Sequence, residues 1–380
     1  MPDSTAANRS PAASSERVPS ERLVSLDALR GFDMFWILGG DKVIHALHKA
    51  LDVPATALLA TQMTHKEWEG FAFYDLIFPL FVFIAGASLV FSLGKIIEER
   101  GRGAALLRIA RRAALLYILG IFYYGGLATP FLEIRLLGVL QRIALCYFFA
   151  GLAFVVLRPR GLVGLCVALL LLYWGLMTFV PIPAVGAGNY AEGQNLANYV
   201  DSRFLPLRKW DGTHDPEGLL STLPAIATCL LGVFAGMLLR DPNVRPGRRV
   251  LYLAAGGAVL ASLGWAWHLQ FPVIKKIWTS SYVLVAGGYS SLLLAAFYLV
   301  IDVVRLRFWA APFVWIGMNA ITLYLARNLV DFGRIAQRFA GGDLNRLLGA
   351  WGEFALAATA VLLLLGLARF LYRREIFLRL

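Results

Sequence analysis

The sequence predicts an all-α fold, a polytopic integral membrane helix bundle with about ten transmembrane helices. Three observations carry that prediction. Of the 380 residues, 59% are hydrophobic and only 16% are charged, and the mean hydropathy is +0.66. Soluble domains are typically about 45–50% apolar and about 25% charged, so the excess marks lipid as the solvent. Apolar runs of about 20 residues, long enough to span a bilayer, recur along the chain. The basic residues gather in the short stretches between those runs.

In chain order, the spans are expected near residues 28–47, 71–94, 113–128, 134–157, 161–181, 218–239, 249–268, 279–301, 309–327 and 351–371, with ends good to about four residues. The opening "MPDSTAANRSPAASSERVPS" is rich in Ser, Ala and Pro and reads as a disordered cytoplasmic tail, residues 1–21. It contains no apolar h-region of a cleavable signal peptide. Residues 22–380 read as one transmembrane domain without an internal repeat.

Lys and Arg set the orientation. With the N-terminus in the cytoplasm, that side collects Arg9, Arg17, Arg22, Arg30, the stretch "KIIEERGRGAALLRIARR", Arg158, Arg160, "RDPNVRPGRR", Arg305, Arg307 and the tail "RFLYRREIFLRL". By that tally about 22 of the 36 basic residues lie inside and about 12 outside. The expected topology is N-in/C-in.

This topology puts the longest connection, about residues 182–217, on the outer face, where a long structureless loop is usually functional or disordered. Its "GNYAEGQNLANYVDSRFLPLRKWDGTHDPEG" mixes Asn, Asp, Tyr and Trp, a composition suited to a sugar-like ligand and equally to a plain cap. Asp215 and Glu217 are its candidate substrate ligands.

Several function classes are excluded. The net charge of +12 is spread through loops and is not interleaved with aromatics, so it is no nucleic-acid footprint. Cys146, Cys166 and Cys229 lie in apolar segments without metal-type spacing and read as buried free thiols. There is no HExxH or similar spacing, so no metal is expected, and no Walker A sequence.

Ionisable residues inside a span are costly and are functional hypotheses by default. Span one carries Asp33 and Asp41, and Asp41 follows two glycines that allow close approach. Asp75 lies about one turn into span two, Arg142 about 12 Å into span four, and Asn319 mid-span in "PFVWIGMNAITLYLA". Arg142 paired with Asp75 or Asp41 as a purely structural lock is the alternative reading. Just outside span two, "QMTHKEWEGFAFYDLIFPLFVFIAG" places His65 among Glu67, Glu69 and Asp75. Histidine is the side chain best poised for proton transfer near neutral pH, and Glu67, Glu69 or Asp41 can orient its ring.

These residues resemble a known family. "RLVSLDALRGFDMFWILGG", "THKEWEGFAFYDLIFPLFVFIAG", "LLGVLQRIALCYF", "DPEGLLSTLPAIATCLLGVFAGMLL", "KKIWTSSYVLVAGGYSSLLLAAFYLVID" and "PFVWIGMNAITLYL" are similar to segments of the heparan-alpha-glucosaminide N-acetyltransferase family and its bacterial relatives. The resemblance runs from about Arg22 to the end of the chain. It implies an acetyl-CoA-dependent N-acetyltransferase of the bacterial inner membrane. Such an enzyme takes acetyl from acetyl-CoA in the cytoplasm and gives it to the amino group of an extracytoplasmic amino sugar or glycan. The family's catalytic histidine falls on His65, and Asp41 stands where the family has an asparagine.

On that reading His65 is the base, with Asp41 or Glu69 as orienter, or it carries acetyl itself as an acyl-imidazole. Asp75, Arg142, Asp215, Glu217 and Asn319 complete the candidate acceptor site, with Asn319 or Arg142 as oxyanion donor. Arg30, Arg111, Arg112 and Arg248 are candidates for the CoA phosphates, with Arg108 and Arg249 beside them, though topology explains most of these equally well. A proton-coupled transporter of amino sugars, using Asp41, Asp75 and Arg142, is the alternative function. A homodimer is retained as an expectation, because membrane enzymes are often dimers.

Overall fold

The computed structural model describes residues 23–378. The tail expected at 1–21 lies outside the described residues. Every described element is helical, and extended pairing is confined to isolated bridges. Seven of the described helices are long and apolar enough to cross a membrane, or eight if one bent pair counts as a span.

The first expected span is two helices, α1 (Val24–Phe35) and α2 (Asp41–Ala50), joined by a π-helical turn at Trp36–Gly40. Gly39 takes φ 127°, a value that L side chains rarely adopt. α3 (Pro54–Gln62) follows, and then α4, Phe73–Tyr123, which is broken at Gly101 (φ 82°, ψ 176°). A straight 51-residue helix would run about 76 Å. Tyr74 near its start and Tyr124 just past its end nevertheless line one cavity, so the chain folds back at Gly101. The third span therefore starts just after Gly101 rather than near 113, and the basic stretch expected as a loop is helical on both sides of that glycine.

α5 (Val139–Val156), α6 (Pro159–Phe179), α8 (Thr222–Arg240), α9 (Pro246–Trp267) and α10 (Ser280–Tyr298) match expected spans. Between α6 and α8 the long connection carries α7 (Leu196–Phe204), whose N-cap Asn195 accepts from Asn198 N–H at 2.9 Å. The span expected near 309–327 is instead α11 (Ala311–Met318) and α12 (Ala320–Leu329), a pair bent by 66° at Asn319. α13 (Phe332–Ala340) and α14 (Gly342–Leu348) lead to α15 (Gly352–Arg373).

Close backbone approach holds the centre together. A Cβ on Gly86 of α4 would overlap the Cys229 carbonyl of α8, and one on Gly232 would overlap the Phe83 carbonyl in return. Gly31 of α1 and Gly317 of α11 make the same reciprocal fit with Phe313 and Asp27. Small residues at crossings let apolar helices pack without a hydrophobic drive between them. Burial follows: 72% of the α8 window and 67% of that in α4 lie inside the protein, against 28% for α6 and 22% for α9. α6 and α9, together with α15 at 22%, thus present the outer faces of the bundle.

A second small core forms beyond the helix ends. Tyr173, Met177 and Ile182 pack with Leu196, Phe271, Ile274 and Ile277. It clamps the 182–196 stretch onto the loop between α9 and α10, which fixes the position of residues 273–278.

Candidate functional site

His65 lies in the turn between α3 and α4. Two contacts pin that turn to the α9–α10 loop: Gly70 N–H donates to Val273 O at 2.9 Å, and Glu69 bridges Ile274. The result sets His65 beside Lys275, which is 210 positions away. Asp75, three residues past the N-cap of α4, is fully buried and has two duties. Its Oδ2 accepts the Ala72 N–H at 3.0 Å and the Lys66 N–H at 3.3 Å, which caps the helix. Its Oδ1 takes the Nδ1–H of His65 at 2.8 Å. That bond leaves Nε2 as the nitrogen with a free lone pair.

The Lys275 Nζ stands 2.8 Å from Nδ1 and 3.1 Å from Nε2 of His65, and 3.5 Å from Asp75 Oδ1. Burial pushes the Lys275 ammonium below its ordinary value, against the pull of Asp75 and Glu217. The Tyr74 ring lies against His65 at 4.7 Å, and its hydroxyl donates to Asp41 Oδ2 at 3.3 Å.

These groups open into a cavity of about 390 Å³, within the range of small-molecule sites. Its deep wall is apolar, with Ile77, Phe78 and Phe81 of α4 and Leu140 and Ile143 of α5; Trp278 closes the base. Its outer rim is polar. There Arg135 sits between the rings of Tyr124 and Trp210, at 4.7 and 4.9 Å. It binds Asp215 twice, at 2.9 and 2.6 Å, and also pairs with Glu217. Burial opposes the charge of Arg135, but the two carboxylates more than restore it and lift its pKa above the ordinary value. Burial likewise raises Glu217, against Arg135 and Arg142.

Behind this rim, Asp201 of α7 organises the turn at 215–219. Its Oδ1 accepts from Leu219 N–H at 2.8 Å, and Oδ2 from Asp215 N–H at 3.4 Å. Burial pushes the Asp201 carboxyl up to about 6.

Of the sequence candidates, His65, Asp75, Asp215 and Glu217 come together around this cavity. Asp75 is the carboxylate against the His65 ring, whereas Asp41 reaches it only through Tyr74, and Glu69 turns away to His268 at 3.6 Å. Arg142 neither lines the cavity nor pairs with Asp75 or Asp41. Fully buried, it donates to Gly218 O at 3.1 Å and Ser221 Oγ at 2.5 Å behind Trp278, because its helix start faces the 218–221 turn. Asn319 sits at the α11–α12 bend and donates to Trp315 O at 3.3 Å. Neither is placed to reach an oxyanion in the cavity.

The four arginines do not converge. Arg30 donates to Ser88 Oγ at 2.5 Å and meets Asp27 at 3.3 Å; Arg112 lies over the Tyr147 ring at 4.7 Å; Arg111 and Arg248 are exposed.

Sequence reasoning missed Lys275, Tyr74, Arg135 and Trp210. Lys275 had one signal, a charged "KK" directly before an apolar span, but only the fold shows its partner. A further cluster, Glu192, Asp211 and His214, has metal-ligand spacing at the rim. The Lys276 ammonium fills that space, 2.6 Å from Glu192 and 3.5 Å from Asp211.

Comparison with known proteins bears on this geometry. The family model described as heparan-alpha-glucosaminide N-acetyltransferase, catalytic, matches residues 22–266. The heparan-alpha-glucosaminide N-acetyltransferase of Homo sapiens is 28% identical over 326 residues, covering 70% of this chain and 49% of its own length. That of Mus musculus is 27% identical with the same coverage. The chain thus spans about half the length of the curated relatives it matches. The family match takes in His65, Asp75, Arg135 and Glu217 and ends before Lys275.

Proposed function

Because the chain belongs to the heparan-alpha-glucosaminide N-acetyltransferase family, we propose that it is an acetyl-CoA-dependent N-acetyltransferase that works across a membrane. Acetyl comes from cytoplasmic acetyl-CoA and goes to the amino group of an extracytoplasmic amino sugar or glycan. Ten spans in N-in/C-in arrangement, in a bacterial inner membrane, complete this reading. In it α1–α2 and α11–α12 each count as one span, and α4 counts as two.

The observation that carries it is the His65–Asp75 pair at the mouth of an apolar-walled cavity. A thioester and pantetheine chain suit the deep wall, and a polyhydroxylated amine suits the rim. The acceptor nitrogen attacks the thioester carbonyl carbon while His65 Nε2 takes its proton. Asp75 holds the ring in the tautomer that leaves Nε2 free and stabilises the imidazolium that forms. Collapse breaks the C–S bond, and the departing CoA sulfur takes the proton from His65. Direct transfer of this kind needs no acetyl-histidine, since Nε2 and the rim share one cavity.

The test is acetyl transfer in proteoliposomes of known orientation, with labelled acetyl-CoA on the cytoplasmic side and glucosamine on the other. Acetylated sugar from wild type and not from His65→Ala supports the reading. Labelled glucosamine that crosses unchanged overturns it in favour of a transporter.

A further inference from the structure

Lys275 has no role in the mechanism above, yet it touches the base. Its side chain is 22% exposed, lines the cavity, and faces three titratable groups: His65, Asp75 and, farther off, Glu217. At 2.8 Å from Nδ1 and 3.1 Å from Nε2, the ammonium lies against the face of the ring, and the in-plane lone pair of Nε2 stays open to the cavity. The ammonium has no in-line ring acceptor there, and its anionic neighbour, Asp75 Oδ1 at 3.5 Å, already holds His65, so it is free to turn to a better acceptor. Acyl transfer brings one such acceptor into the cavity, the thioester carbonyl oxygen, which gains negative charge as the amine adds.

The other cations lining the cavity are less suited. Arg135 is held by Asp215 and Glu217, Lys276 by Glu192 and Asp211, and Lys66 is exposed. Arg142 and Asn319 lie outside the cavity lining.

Building on the acetyl-transfer reading, we infer that Lys275 is a catalytic residue, the donor to the oxyanion. Its ammonium rests against the face of the His65 ring and turns to the carbonyl oxygen of the bound thioester, where it steadies the oxyanion while Nε2 acts as base. The C–N bond forms as the carbonyl π pair moves onto oxygen, where Lys275 donates a hydrogen bond and keeps its proton. Nε2 takes the amine proton. The carbonyl then re-forms, the C–S bond breaks, the thiolate takes the proton from His65, and Lys275 returns to its place over the ring. Burial, which makes the ammonium more acidic, strengthens its bond to a developing oxyanion.

The experiment compares wild type, K275M and K275R as full-length chains in proteoliposomes. K275M is expected to lower kcat by about 10²–10³-fold, the usual effect of removing one oxyanion donor, with KM for acetyl-CoA changed less than about threefold. Wild-type kcat should fall on the alkaline side as Lys275 loses its proton, at a pH below the ordinary lysine value. K275R should lack that limb, because guanidinium stays protonated. K275M within about threefold of wild type, or a K275R alkaline limb identical to wild type, overturns the inference and leaves acetyl transfer intact. If K275M does not fold, judged by its melting in detergent, the K275R limb decides. A wild type that transfers no acetyl overturns the parent reading and this inference together.

Discussion

At the cavity end of the bundle, His65, Asp75, Lys275, Arg135 and Glu217 meet across four separate stretches of chain. Toward the other end, Arg30, Arg111, Arg112 and Arg248 each meet a helix neighbour or solvent and not one another. Both regions are rich in charge. At the first, loops pinned by backbone hydrogen bonds and a small second core force charges together out of water, where electrostatic interactions are stronger. At the second, each charge meets its own neighbours or solvent, which is all that the proposed positive-inside topology asks of it. Charges converge where the fold compels it.

The sharpest way to break this comparison is at the pair that anchors the first region. Asp75→Asn keeps the shape of the side chain but no longer fixes the tautomer of His65. A loss of about 10²–10⁴-fold in kcat is expected. Asp41→Asn, which touches only Tyr74, should cost less than about tenfold, on the same general-base scale. Equal losses in steady-state acetyl transfer would remove Asp75 from its special position.

Arg135 offers the next largest effect. It is 5% exposed and pairs with two carboxylates. Arg135→Met leaves Asp215 and Glu217 buried without a cation, a change that typically costs about 3–5 kcal/mol. Thermal unfolding in detergent should register it, and Arg248→Met at the exposed end should not.

The same contrast explains what the sequence made legible. The helices were readable because lipid demands long apolar runs, and His65 stood out because a polar cluster precedes one. Asp75 was visible as an intramembrane charge, but its partner was not: Arg142, about 12 Å into its own expected span, looked equally available. Nothing local reveals that the Glu69–Gly70 edge pairs with residues 273–274, and that pairing is what delivers Lys275. The break at Gly101 was hidden inside a basic stretch that reads as a loop, and Asn319 inside a run that reads as one straight helix.

A smaller effect concerns pH at the rim. The Asp201 carboxyl lies near 6 against an ordinary 3.8. A raised folded-state pKa contributes stability that is full below the unfolded value and is lost as pH rises through the folded one. The gap corresponds to on the order of 3 kcal/mol. Protection of residues 182–217 from proteolysis should therefore fall between about pH 4 and 6. Asp201→Asn retains an acceptor for Leu219 N–H and removes the titration, so its protection should stay level across that range. A slope that survives the substitution would assign the effect to another group.

The smallest expected effect sharpens the far end. If the arginines there owe their places to topology, each contributes little to donor binding, and Arg111→Ala or Arg248→Ala should raise KM for acetyl-CoA less than about threefold, as exposed charges usually do. Arg30 differs, because its guanidinium reaches Ser88 and the Gly317 carbonyl where α1 crosses α11, a crossing too close for any Cβ. Arg30→Ala should therefore lower the melting temperature along with any change in KM. A large rise in KM for Arg248→Ala with an unchanged melting temperature would show that an exposed arginine holds a phosphate after all. It would also show that convergence at that end is built by the ligand rather than by the fold.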